Sequence, residues 1–191
     1  NKHQSSFGSS AETVTAVNLQ DNTLVSILTA LQNEAVNVPA NGNIRELAIT
    51  SEGNIALFSK FMASLMPEIS GGLENVFKNA FEDDFTAYIY YDDKGFWPGY
   101  VAKLKANADL DIVSLTNQLQ QLENSAFTNF FLTPPGESQG FHSGTVKGKY
   151  NNRSAPMGQA GASFNYGLYD QYLIITTSYN ALLGALQLLG L

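Results

Sequence analysis

The sequence predicts an α+β fold: a mainly antiparallel sheet with helices packed on one face and a helical N-terminal third. Three observations carry that expectation. Residues 82–191 read β-β-α-β-β-β-α, and strands that are neighbours in sequence are joined by tight turns, which favours antiparallel pairing. Residues 13–81 carry mostly helical periodicity. No period of about 20 to 50 residues recurs, so a repeat architecture is set aside.

Residues 1–12, NKHQSSFGSSAE, are polar, Ser-rich and aperiodic. With residues 13–18 they read as a flexible arm or linker ahead of a single domain over 19–191. Thr13-Val14-Thr15-Ala16-Val17 alternates like a short strand. Asp21 or Asn22 is placed to cap a helix over 23–33, where Leu24, Ile27, Leu28 and Leu31 share a face. Pro39 and Asn41-Gly42 break the chain before Ile44-Arg45-Glu46-Leu47-Ala48-Ile49-Thr50, a strand with imperfect alternation. Helices follow over 55–66 and 73–81, separated by Pro67 and Gly71-Gly72. Their stripes, Phe58/Phe61/Met62/Leu65 and Leu73/Val76/Phe77/Ala80, are core faces rather than a cofactor box.

The clearest element is a hairpin. Phe85-Thr86-Ala87-Tyr88-Ile89-Tyr90-Tyr91 is aromatic and β-branched, Asp92-Asp93-Lys94-Gly95 makes the turn, and residues 96–105 return. Pro98 cannot donate to a ladder and is expected at an edge or bulge. Asp109 or Asp111 caps a helix over 112–124. After an irregular stretch holding Pro134-Pro135-Gly136, strands are expected over 144–150, 162–168 and 172–177. Ser178 then caps a closing helix over 179–189.

Composition narrows the function. Of 191 residues, 44% are hydrophobic, ample for a core, and only 14% are charged, against about 25% in an average soluble domain. Asn, Gln, Ser and Thr supply the missing polarity, a surface chemistry commoner in secreted and cell-surface proteins. The net charge of −7 sets nucleic acid aside, because phosphate binding needs clustered Lys and Arg. Lys103/Lys105 and Lys147/Lys149, each pair at strand spacing, read as solvated strand faces. The absence of cysteine removes thiol catalysis, zinc-thiolate sites and disulfides. No apolar run is long enough to span a bilayer. A chain beginning at Asn1 reads as processed or trimmed, which leaves room for a leader or membrane anchor ahead of it.

Catalytic constellations are weak at every position. A Ser/His/Asp triad would have to use His142, in Gly140-Phe141-His142-Ser143-Gly144, and no nucleophile elbow pairs with it. Glu82-Asp83-Asp84 and Asp92-Asp93 lack calcium-loop spacing, and such residues have a structural reason at turns and caps, so no metal is expected. Glu46, Glu74 and Glu123 are candidate glycosidase carboxylates; Glu46, beside Arg45, and Glu123, near a helix end, read as solvated or paired. No phosphate-cradling loop is present, and no cofactor is expected. Asn152-Arg153-Ser154 is a formal glycosylation acceptor in a loop. What remains is the aromatic hairpin. Tyr88, Tyr90, Phe96, Trp97 and Tyr100 are the candidate binding residues; an exposed Phe96-Trp97-Pro98 rim would stack on a sugar or anchor a protein, whereas a buried one caps the core.

Phe96-Trp97-Pro98-Gly99-Tyr100-Val101-Ala102-Lys103-Leu104-Lys105, Asn165-Tyr166-Gly167-Leu168, Ile174-Ile175-Thr176-Thr177-Ser178 and Ile44-Arg45-Glu46-Leu47 together resemble exported domains of uncharacterised single-pass membrane-anchored proteins from small-genome, candidate-phylum bacteria. The resemblance spans roughly residues 20–190 and holds no catalytic motif. It implies an extracytoplasmic location, a Ser-rich arm leading from an anchor, and no transferable functional residue. The expectation is therefore a non-enzymatic extracytoplasmic domain for binding or surface assembly, with self-association as its specific form. A glycan-binding module and a hydrolase centred on His142 are the alternatives.

Overall fold

The computed structural model describes residues 2–9, 13–40, 43–69, 72–106 and 110–191. Asn1, residues 10–12, Asn41, Gly42, Gly71 and the cap candidate Asp109 lie outside the described residues.

In chain order the chain forms β1 (Thr15–Leu19), α1 (Leu24–Ala35), β2 (Ile44–Ser51), β3 (Asn54–Ile55), α2 (Phe58–Leu65), α3 (Gly72–Ala80), β4 (Phe81–Asp92), β5 (Gly95–Leu104), α4 (Ile112–Leu119), β6 (His142–Val146), β7 (Tyr150–Pro156), β8 (Ser163–Tyr169), β9 (Tyr172–Thr176) and α5 (Tyr179–Leu188). Among the described residues nine strands make one open sheet in the order β1-β2-β4-β5-β9-β8-β7-β6, with β3 a further partner of β2. The architecture is α+β and the sheet mostly antiparallel. The exception is β1 with β2, a parallel pair connected through α1, because parallel neighbours need a long crossover.

The N-terminal third is mixed rather than the helical block expected. Strands β1, β2 and β3 alternate there with α1, α2 and α3. The strand expected over 44–50 is β2, threaded between β1 and β4 and buried at Glu46, Leu47, Ala48 and Ile49 on both faces, which accounts for its imperfect alternation. A strand covered on both sides loses its apolar–polar alternation.

Strand alternation sorts the sheet into two faces. Phe85, Ala87, Tyr100, Tyr166 and Ile175 share one; Glu46, Tyr88, Tyr90, Trp97, Gly99 and Ile174 share the other. The first is the helix face. Phe58 and Phe61 of α2 meet Phe85 at ring-centroid distances of 5.5 and 4.9 Å. Glu34 of α1 pairs with Arg45 at 2.7 Å, and α4 packs through α3. The opposite face carries α5, whose Ala181 carbonyl accepts the Tyr88 hydroxyl at 2.9 Å. Helices packed on one face were expected; four pack on one and the fifth on the other. The central strands are apolar on both sides, so a second cover is required.

Two corrections concern the second half. The strand expected over 144–150 is split into β6 and β7 by a turn in which Lys147 and Gly148 take left-handed φ of 52° and 66°. Lys147 and Lys149 therefore sit in a turn and not on a strand face. Asn152-Arg153-Ser154, expected in a loop, lies inside β7, where buried Asn152 accepts the Tyr169 hydroxyl at 2.7 Å. Asn is a poor strand former by propensity, and its side chain is held here by Tyr169 and by Asn165, to which its amide donates at 3.5 Å. Asp111 caps α4, accepting from the N–H groups of Val113 and Ser114. Thr23 rather than Asp21 or Asn22 caps α1, and the Ser178 hydroxyl makes no capping bond at α5.

Candidate functional site

The arm face is where the chain assembles polar groups from distant segments. Residues 2–9 lie along β4, advancing with it almost residue for residue: His3 and Gln4 at Asp84, Ser6 at Thr86, Phe7 at Tyr88. The contacts are made to side chains on the sheet face, not to a free strand edge. His3 Nδ1 is 2.8 Å from Asp84 Oδ1, and its Nε2 is 3.4 Å from Glu46 Oε1. The Gln4 N–H donates to Asp84 Oδ2 at 2.6 Å, and the Ser6 N–H to Thr86 Oγ1 at 2.8 Å. Phe7 stands edge-on to the Tyr88 ring, centroids 5.4 Å apart. Locally, Ser5 organises the segment: its hydroxyl accepts the N–H groups of Phe7 and Ser9, and Gly8 closes the turn at a φ of 71°.

Electrostatics favour the docked arm. Hydrogen bonding to Asp84, and then to Glu46, pushes His3 up to about 9 against the opposing effect of burial, so the imidazole is cationic at neutral pH. Glu46 is 5% exposed. Burial pulls its carboxyl upward, but His3, with the Ser5 and Ser9 hydroxyls nearby, outweighs that and holds it below its ordinary value, although Oε2 itself has no hydrogen-bond partner among the described residues. A buried carboxylate is tolerated only when paired in this way.

The five aromatic candidates divide. Tyr88 is fully buried between Phe7 and α5, with its ring lying over Gly99; a Cβ there would come within 2.3 Å of Tyr88 Cζ. Tyr90 is half-buried and floors a groove of about 610 Å³ between the arm and α5, with Ile44 beside it, Phe7, Leu183 and Leu188 as walls, and Asn43, Asn180 and Gln187 at the rim. Trp97 does not stand on a rim. It is 1% exposed, and its Nε1–H donates to Asp92 Oδ1 at 2.9 Å, so it closes the core at the hairpin end. Phe96 is half-buried on the helix face. Tyr100 is buried there among Phe61, Phe85 and Phe130, and its hydroxyl has no hydrogen-bond partner among the described residues. The structure puts Tyr88, Tyr90 and Trp97 on the arm side of the sheet, with Trp97 closed into the core, and places Phe96 and Tyr100 on the opposite, helix face.

Other candidate groups are accounted for by their neighbours. His142 is exposed on β6, paired with Ser154 of β7 in the ladder, and its side chain makes no hydrogen bond or ion pair with a described residue. Glu123 forms a two-pronged pair with Arg153 at 2.7 and 2.8 Å and accepts the Tyr166 hydroxyl at 2.6 Å. Arg153 above all holds the Glu123 carboxyl below its ordinary value. Glu74 pairs with Lys60 at 2.6 Å. Asp92 accepts the N–H groups of Lys94 and Gly95 as a turn residue does. No group of three His, Asp or Glu side chains gathers to hold a metal among the described residues, and no described helix is long and apolar enough to cross a membrane.

Sequence reasoning missed the arm's docking. The available signal was local: an aromatic residue, Phe7, four positions after His3 in an otherwise polar stretch. No family model, curated protein or solved structure matches the chain.

Proposed function

We propose that the chain is a non-catalytic, extracytoplasmic binding and surface-assembly domain that works as a self-associating subunit. One observation carries the reading: residues 2–9 are tied to the arm face by side-chain contacts to residues some 80 positions away. None of those contacts depends on the arm and the sheet belonging to the same molecule, so a neighbour's arm satisfies the same partners. Exchange of an identical element is a low-cost route to association. The sparse charge and abundant neutral polar residues suit an extracytoplasmic surface.

The test is the size of the chain by light scattering across a wide concentration range, with and without residues 1–9. Truncation should stop there, because β1 begins at Thr15 and pairs with β2. Mass that grows with concentration in the intact chain and not in the truncated one is expected; a monomer at all concentrations sinks the reading. A glycan is the second reading, favoured by Tyr90 with Asn43, Asn180 and Gln187 around one groove. Unchanged binding to a glycan panel after Tyr90→Ala removes it.

A further inference from the structure

We infer that the arm face is a peptide-recognition channel that reads a cation followed four residues later by an aromatic ring, and that its partner is the residue 2–9 segment of a second copy. The inference rests on the assembly reading above and adds the chemistry that selects the partner. The channel has three stations in line along β4. Glu46 and Asp84 form an anionic clamp that takes the cationic ring of His3. Asp84 Oδ2 and Thr86 Oγ1 take the backbone N–H groups of Gln4 and Ser6, two residues apart, which fixes the direction of the peptide without regard to its side chains. Tyr88, pinned from behind by its bond to Ala181, offers its ring to Phe7.

This differs from strand addition, where an edge supplies the bonds and pockets read alternate side chains. Here the sheet face supplies acceptors, and the peptide brings donors, a cation and one ring. Lys2 lines the same open cavity as Glu82, Asp83 and Asp84, so the segment brings a second positive charge to an acidic stretch of the sheet. In the intact chain its own arm occupies the channel and competes with any second copy as an intramolecular ligand.

The experiment uses the full chain carrying His3→Ala and Phe7→Ala, which vacates the channel, and a fluorescent peptide of residues 2–9 followed by anisotropy. The variant is expected to bind the peptide at least about tenfold more tightly than the parent chain, whose own arm competes. Adding Glu46→Gln to the variant, or replacing the peptide's histidine by alanine, should each weaken binding by about tenfold or more. Equal binding by parent and variant, or none at about 1 mM peptide by a variant that still melts cooperatively, overturns the inference.

Should that variant fail to fold, cysteine crosslinking decides. The chain has no cysteine, so separate Ser6→Cys and Thr86→Cys chains, mixed under mild oxidant, crosslink 6 to 86 only between molecules. A mixed dimer well above either self-crosslink is expected, and its absence overturns the inference. If the intact chain proves monomeric while the peptide binds, assembly fails and recognition stands. If the intact chain associates through its arm while the peptide does not bind, the recognition chemistry fails.

Discussion

The two faces of the sheet draw on the same aromatic vocabulary and are held by different physics. On the helix face Phe58, Phe61, Phe85, Tyr100, Phe130 and Phe164 form a continuous chain of ring contacts with centroids 4.9 to 6.4 Å apart. The polar atom that reaches into it, the Tyr100 hydroxyl, goes unpartnered among the described residues. On the arm face directional contacts take over, although Glu46 Oε2 has no hydrogen-bond partner among the described residues: Tyr88 donates to Ala181, Thr86 accepts from Ser6, and the carboxylates of Glu46 and Asp84 hold His3. Non-directional burial secures the fold wherever shapes fit; hydrogen bonds and charge specify which segment is accepted. Stability should therefore concentrate on one face and selectivity on the other.

The largest expected effect breaks the helix face. Phe85→Ala removes a ring that contacts Phe58, Phe61 and Tyr100 and should cost about 3–5 kcal/mol in chemical denaturation. A loss under about 1 kcal/mol would put the core elsewhere. Gly99→Ala comes next, at roughly 3 kcal/mol, because the new methyl meets the packed Tyr88 ring, and the clash should also detach Tyr88 from Ala181. A near-neutral result would mean the ring is free to move.

His3→Ala tests the arm face, with an expected loss of roughly 1–2 kcal/mol at neutral pH. Its pH dependence separates charge from packing. Docked, His3 keeps its proton to about 9, against 6.5 when released, so its contribution is complete below 6.5 and is lost as pH rises through 9. Glu46, held below its ordinary 4.5, contributes above that value and withdraws its support as pH falls. The deficit of His3→Ala should thus be widest between about pH 5 and 6.5, shrink from there as pH rises, and close by about pH 10. An unchanged deficit at the alkaline end would assign the contribution of His3 to packing and neutral hydrogen bonds and not to its charge.

The smallest effect is the sharpest comparison. Tyr88→Phe should cost about 1 kcal/mol, because a made hydrogen bond is lost, whereas Tyr100→Phe should be neutral or slightly stabilising, because an unmet hydroxyl is removed. Equal melting shifts for the two would erase the distinction between the faces.

The fold was legible in part, and the pattern of success is physical. The hairpin of β4 and β5 announced itself through β-branched and aromatic residues around Asp92-Asp93-Lys94-Gly95, and the stripes of α2 and α3 marked their buried sides. β7 did not, since Asn151, Asn152 and Pro156 speak against a strand until β6, Tyr169 and β8 give them partners. Of the candidate site, Tyr88 and Tyr90 were legible as aromatics on one strand face. Their relation to His3 was not, because a contact across 81 positions leaves no periodic trace.

By itself the sequence determined what is local or additive: the α+β class, the helices and the hairpin, the poverty of charge, and the absence of thiol chemistry. Propensity, periodicity and composition act over a few residues or over the whole chain at once, so they can be read without coordinates. Only the tertiary structure decided that α5 alone crosses to the second face, that Trp97 turns into the core, and that His3 is clamped between Glu46 and Asp84. Each of those depends on which distant segment supplies a missing partner for a buried donor, acceptor or ring, and that pairing exists only once the sheet has brought them together.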